Sequence, residues 1–336
     1  MPLADPNAAK SGESLDTITP GDRWRRSGSA PASCSAYARR GSHPYTPRLM
    51  SLRDCIITTV GSGVMAEAMI AGLLKGEEVG PEQIIASHPR VERREELTRV
   101  HGIQAVESNV DAIARADVIV LAIKPQMLLR VGRELAPVLR EGQLVISIIA
   151  GATTKALGNV LGHRQVVRSM PNTPAQLGQG MTVWYATPQA TEQQRAQASS
   201  LLGCLGKQLE VDDEKLVAMA TAVSGTGPTY VFLVMEALVD AAVHLGFPRH
   251  VAHDLVVETL EGSTAFAKAT GMHPAQLRNM VTSPGGTSAA ALHELESGRL
   301  RTVLSEAVWA AFRRTDELGR QLEADTAPDT ASDPRP

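Results

Sequence analysis

The feature that most constrains this chain is a short apolar strand, Cys55–Val60, running straight into Gly61-Ser62-Gly63-Val64-Met65-Ala66 and a helical stretch over Val64–Leu74. A tight turn requires the first glycine, and the second lets the backbone approach a pyrophosphate. Ala66 then allows close packing of helix on strand. The helix begins with its positive end and its free N–H groups facing that space. G-x-G-x-x-A alone is a weak signal. Between a strand and a helix of a βαβ series, it reads as a dinucleotide site.

The series is present. Strands are expected at Ile84–Ser87, Ala105–Val106, Val118–Ile123, Leu144–Ile149 and Val166–Met170, with helices at Arg90–Val100, Asn109–Arg115 and Leu128–Val138. Several strands are solid Val/Ile runs, as a parallel sheet covered on both faces requires, and the crossovers should be right-handed. Met181–Tyr185 and Gln208–Val211 extend the sheet. After Asp212 the periodicity becomes helical, over Glu214–Val223, Pro228–Leu245, His250–Thr270, Pro274–Val281, Thr287–Glu296 and Thr302–Gln321. The expected architecture is an α/β Rossmann-type N-terminal domain (51–212) followed by an all-α C-terminal domain (213–324).

The ends differ. Residues 1–50 are rich in Pro, Ser, Gly, Ala and Arg without apolar periodicity, so a disordered extension is expected. It is Arg- and Ser-rich like a transit peptide, yet it holds Asp5, Glu13, Asp16 and Asp22 and has no h-region. Met50 is an alternative start. The stretch 325–336 should be a second disordered tail.

With 43% hydrophobic and 21% charged residues, the 336-residue chain has globular composition. A net charge of −3 gives no bulk attraction for nucleic acid or an anionic membrane. The 3% aromatic content argues against a stacking platform for single strands. No uninterrupted apolar run approaches the ~20 residues of a membrane span. The most apolar stretch, Tyr230–Leu245, carries Glu236, Asp240 and His244 and reads as a buried soluble helix. Cys34, Cys55 and Cys204 stand apart with no CxxC pair, which excludes a zinc ribbon or a disulfide framework and fits a reducing, cytoplasmic setting.

Three further places carry chemistry. Strand two ends Ile85-Ala86-Ser87-His88-Pro89-Arg90 without the carboxylate that would bind ribose hydroxyls. Ser87 can donate a hydrogen bond and Arg90 can pair with a 2′-phosphate, so NADPH is expected over NADH. In Leu121-Ala122-Ile123-Lys124-Pro125-Gln126, a lysine fixed by proline stands at the carboxyl end of strand four, where ligands of such sheets sit. Ser283-Pro284-Gly285-Gly286-Thr287-Ser288 opens a helix with two glycines and two hydroxyls, an anion pocket suited to a carboxylate. Each also has an ordinary explanation, as a surface Arg, a solvated lysine and a Gly-rich turn with a hydroxyl cap. Ser224-Gly225-Thr226-Gly227-Pro228 is a similar loop, with Pro228 suited to the first helical turn.

Taken in order over about residues 52–320, the stretches VGSGVMAEAMI, ADVIVLAIKPQ, IIAGAT, MPNTPAQLGQG, VSGTGPTY and SPGGTSAAALHELESG resemble the pyrroline-5-carboxylate reductases. The last stretch is the most specific. The resemblance implies NAD(P)H-dependent reduction of 1-pyrroline-5-carboxylate to L-proline, the final step of proline biosynthesis. It also implies a helical substrate and dimerisation domain that interlocks a homodimer, often gathered into decamers.

Site roles follow from the same resemblance. Gly61, Ser62, Gly63, Val64, Met65 and Ala66 match the pyrophosphate loop, and Ser87 and Arg90 the 2′-phosphate region. Asn109 matches a cofactor-contacting Asn, Ala122, Ile123, Lys124 and Pro125 the nicotinamide side, and Ala150 and Gly151 the loop after strand five. Glu214 matches an acidic position that reaches a partner subunit's cofactor. Gly285, Gly286, Thr287 and Ser288 match the substrate contacts, and Ser288 and Lys124 are the candidate catalytic residues. The family often has Thr at the place of Ser288, Asp at that of Asn279, and GGGNM where this chain has GSGVM.

The chemistry sets modest demands. A cyclic imine bearing a carboxylate must be oriented and its nitrogen protonated, with no metal and no covalent nucleophile. Backbone N–H groups of 286–288 can hold the carboxylate and the Ser288 hydroxyl the ring nitrogen. His273 and His293 are alternative acids. Three other readings stay open. A β-hydroxyacid dehydrogenase would want a lysine that Pro228–Leu245 lacks. A reductase of another cyclic imine shares every feature so far, and a nucleotide-sensing module would not need the pocket at 283–288.

Overall fold

In the computed structural model, residues 52–77 and 79–327 are described. The expectations for residues 1–50 and for most of the C-terminal tail fall outside them. The Rossmann-type expectation is met by one eight-stranded sheet of β1 (Ile57–Val60), β2 (Ile84–Ser87), β3 (Gln104–Val106), β4 (Val118–Leu121), β5 (Leu144–Ser147), β6 (Val166–Met170), β7 (Gly180–Ala186) and β8 (Gly206–Glu210). Their order is β3-β2-β1-β4-β5-β6-β7-β8, and every pairing is parallel except β6 with β7.

The register sets Val60 beside both Ser87 and Leu121, so β1, β2 and β4 end side by side. The chain order reverses at β1, which makes this edge the crevice where such sheets take ligands. β1, β2, β4 and β5 are buried along their whole length, as their mostly apolar and β-branched sequences suit.

Helices cover both faces. On one, α1 (Val64–Lys75) contributes Met69, Ile70 and Leu73 and α2 (Val91–His101) contributes Leu97 to a core that also holds Trp184. On the other lie α3 (Asn109–Ile113), α4 (Leu128–Leu135) and α5 (Thr154–Leu161). The apolar pattern does not announce α5 or α6 (Glu192–Gly203), but their caps do. The Thr153 side chain accepts from Ala156 N, and Thr191 with Gln194 forms a capping box.

The C-terminal part consists of α7 (Lys215–Ala220), α8 (Gly227–His244), α9 (Arg249–Thr270), α10 (Pro274–Met280), α11 (Thr287–Ser297) and α12 (Leu300–Asp325). The loop expected at 224–228 is instead a widened helical turn, Thr221–Gly225, leading straight into α8. Its hydroxyls bond inward, Thr226 Oγ1 to Thr221 O at 2.9 Å and Ser224 Oγ to Ala220 O at 3.0 Å. Helix α12 returns to the sheet, where Leu322 joins the core beside α4 and α5. It runs through Asp325, and Thr326 is buried and donates to Leu322 O at 2.7 Å, so the first residues of the expected tail are ordered structure.

The expectation that Tyr230–Leu245 is buried is not met within one chain. Val239 is the one buried residue of α8, while Phe232 and Leu233 are 57% and 65% exposed. Trp309 on α12 is 57% exposed as well. Such a pattern leaves an apolar face that a second surface must cover. By length and composition alone, Lys215–His244 would also suffice to cross a membrane, although the widened turn interrupts it.

Candidate active site

The glycine turn sits against the end of β4. Gly61 has φ +81°, and a Cβ there would lie 2.8 Å from both Ala122 O and Ile123 Cγ2. Glycine is therefore required twice, for its backbone conformation and for the close approach. Gly63 is the opposite case, since a Cβ there would meet nothing within 4 Å. It caps α1 without a side-chain partner, which leaves the first-turn N–H groups open to an anion. Val64 is exposed beside this opening, Met65 leans on the core and Ala66 is fully buried.

Two serines beside the turn direct their hydroxyls inward. Ser62 is buried and donates its hydroxyl to Ser87 O at 3.1 Å, while its carbonyl accepts from Arg93 Nε at 3.0 Å. Ser87 is also buried, with its hydroxyl 2.8 Å from Asn109 Oδ1 and 3.3 Å from Thr59 O. Without a ligand, the Ser87 hydroxyl thus bonds within the fold, between β1 and the start of α3. Asn109 is partly consumed too, donating Nδ2 to Glu134 at 3.2 Å.

The end of β2 is basic. Arg94 pairs with Glu107 at 3.3 Å, and Arg93 with Glu67 and Glu96 at 2.6 and 2.7 Å. Exposed Arg90 has no ion pair among the described residues and is available to a phosphate. Burial, with the neighbouring Arg90 charge, pushes the His88 imidazole below its usual range. The positive charge here is therefore carried by arginine. Lys124 follows β4, is exposed, and opens a single turn over Pro125–Met127, its carbonyl accepting from Met127 N at 2.9 Å.

The loop after β5 belongs to an interior joint. Gly151 has φ +79°, and a Cβ on it would lie 3.0 Å from Leu318 Cβ of α12. Glu214 sits at the same joint. Its carboxylate accepts Thr154 N and Oγ1 at 2.7 and 2.6 Å and pairs with Arg168 at 2.9 Å. Within this chain its carboxylate ties β6 to the start of α5. The sequence reading missed Arg168 and Thr154, since neither stands in a motif.

In the candidate substrate loop, Gly285 has φ +70°, which favours glycine, and a Cβ on Gly286 would crowd the Ser283 hydroxyl and lie 3.2 Å from Ser283 O. Gly286 caps α11 without a side-chain bond, and Thr287 and Ser288 are exposed on its first turn. Among the described residues, no hydrogen bond links this loop to the glycine turn or to Lys124. His273 is a cap, its Nδ1 accepting from Ala275 N at 3.2 Å.

A doubly wound sheet, an open glycine turn at its order reversal, a basic strand end without a carboxylate and an attached helical region define a nucleotide-dependent oxidoreductase. The profile described as NADP oxidoreductase, coenzyme F420-dependent, matches residues 56–151, and that of pyrroline-5-carboxylate reductase dimerisation matches 214–318. The Pseudomonas aeruginosa pyrroline-5-carboxylate reductase is 42% identical over 267 residues, covering 79% of this chain and 97% of that protein. The Coxiella burnetii pyrroline-5-carboxylate reductase structure superposes with a TM-score of 0.73 at 36% identity, covering 79% of this chain and 98% of that one. The Plasmodium falciparum pyrroline carboxylate reductase, solved with NADP bound, gives 0.73 at 28% identity, covering 80% and 99%. The chain belongs to the pyrroline-5-carboxylate reductase family.

Proposed function

We propose that this chain reduces 1-pyrroline-5-carboxylate to L-proline with NADPH, closing proline biosynthesis, as a cytoplasmic homodimer. The observation that carries this reading is the presence, in one member of this family, of both an open glycine turn and the Gly285–Ser288 helix start. The exposed apolar face of α8 and α12 supports the dimer.

The residues fit the cofactor. Open N–H groups from Gly63 onward suit the diphosphate, and Arg90 suits a 2′-phosphate. When bound, NADPH supplies the hydride. The chain's part is orientation, worth up to roughly 7–11 kcal/mol in favourable cases. N–H groups of Gly286, Thr287 and Ser288 hold the ring carboxylate, and the Ser288 hydroxyl holds a proton at the imine nitrogen, which receives the C=N electron pair. Lys124 adds positive charge at the mouth of the crevice.

NADPH oxidation measured with 1-pyrroline-5-carboxylate, beside 1-piperideine-carboxylates, tests the reading. The five-membered substrate should be preferred by at least tenfold in kcat/KM; a preference for a six-membered ring would favour another cyclic imine.

A further inference from the structure

We infer that Arg93 is a positioning residue for the cofactor diphosphate, acting through the Ser62–Gly63 peptide and through Glu67, an inference resting on the reading that the glycine turn holds a dinucleotide. Arg93 lies on α2 and is 13% exposed. Its three nitrogens have three different partners: Nε donates to Ser62 O at 3.0 Å, Nη2 to Glu67 at 2.6 Å and Nη1 to Glu96 at 2.7 Å.

The first contact orients a peptide. Across a planar trans peptide, C=O and N–H point to opposite sides. Holding the Ser62 carbonyl toward Arg93 therefore aims the Gly63 N–H the other way. Ser62 cannot rotate freely to relax this, because its hydroxyl is tied to Ser87 O.

The second contact answers an electrostatic problem. Glu67 stands in the first turn of α1, where its negative charge would oppose a diphosphate at the same helix end. Arg93 holds the Glu67 carboxyl below the usual carboxylate range, outweighing the burial that pushes it up, and His101 helps from 3.1 Å. A single guanidinium thus shapes the turn and neutralises the neighbouring charge, and its fork geometry lets it do both.

The diphosphate is common to NADPH and NADH, so the prediction separates this role from direct phosphate recognition. Wild type, Arg93→Met and Arg93→Lys would be titrated with each dinucleotide by equilibrium fluorescence, with melting temperatures measured alongside. Both dissociation constants should rise together in Arg93→Met, by about 5- to 30-fold, less than the loss of a direct charge-assisted bond because Arg93 acts through the turn. Their ratio should stay within about twofold of wild type. Arg93→Lys keeps the charge without the fork and should show a smaller loss at the same ratio. Adding Glu67→Gln to Arg93→Met removes the uncompensated carboxylate and should return part of the loss. If Arg93→Met does not fold, the lysine variant decides. A loss confined to NADPH would mean that Arg93 touches the 2′-phosphate itself and would overturn the inference, as would unchanged binding of both in a folded variant. Wild type that binds neither dinucleotide would instead overturn the functional reading.

Discussion

The Glu214 carboxylate receives the buried Arg168 guanidinium at 2.9 Å at the point where the sheet hands over to the helices. Glu214 precedes α7, Arg168 lies on β6, and the same carboxylate takes both Thr154 donors at the start of α5. From the other end of the helical part, Glu323 of α12 meets Thr153 Oγ1 at 2.8 Å and Lys155 at 3.2 Å. Two acids from opposite ends of the helical region thus converge on one helix start, where the dipole favours them. That start follows directly on Ala150 and Gly151, so this joint sets how the helical region stands against the cofactor edge.

Glu214→Ala would leave Arg168, with a side chain only 6% exposed, without its carboxylate. Breaking a buried pair costs about 3–5 kcal/mol, and Glu214 is exposed enough to put the effect at the low end. Thermal denaturation should show a fall of roughly 10 °C. Arg168→Met should cost less in a Glu214→Met background than in the wild type. A fully additive cycle would mean that the pair contributes nothing of its own.

Two glycines two positions apart should respond in opposite ways. Gly61→Ala meets both a left-handed backbone and an overlap with Ala122, so it should destabilise the folded chain by about 2 kcal/mol or more. Gly63→Ala meets open space, so melting temperature should hardly move, while NADPH affinity should fall at least tenfold. Differential scanning fluorimetry with and without NADPH separates the cases. A Gly63→Ala protein with normal NADPH affinity would mean that the open space is not the diphosphate seat.

The strands β1, β2, β4 and β5 were legible because a strand buried on both faces is written mostly in β-branched and apolar residues, with buried Thr58 and Thr59 of β1 as the polar exceptions inside a run. The glycine turn was legible because Gly61 answers to backbone geometry. Side-chain direction was not. A serine that ends a strand reads the same whether its hydroxyl faces a ligand or, like Ser87, bonds Asn109 inside the fold. Glu214 likewise gives no local hint of Arg168, which stands 46 residues away in sequence. The apolar content of α8 and α12 already exceeds what one small domain can hide, but composition does not say which of their side chains face outward.

That exposed face yields a prediction about assembly. Phe232, Leu233 and Trp309 are each more than half exposed in the single chain. Sedimentation at low micromolar concentration should find a stable dimer, and Leu233→Arg should shift it toward monomer with loss of reductase activity. A wild-type monomer with full activity would show that the helical region needs no partner.

The last expectation concerns Ser288, exposed on the first turn of α11 behind a cap that offers only backbone donors. Replacing it with Ala removes the hydroxyl assigned to the imine nitrogen but leaves the N–H groups assigned to the carboxylate. The loss should therefore fall mainly on kcat. One hydrogen bond to a charging group is worth ~1.5–3 kcal/mol, or roughly 10- to 150-fold in rate. Ser288→Thr keeps the hydroxyl and restricts its rotation, so most activity should survive. A rise in KM with kcat intact would make the hydroxyl a ground-state binding group. If neither parameter moved, the proton would have to be held by Thr287 or by water, and the role assigned to Ser288 would be wrong.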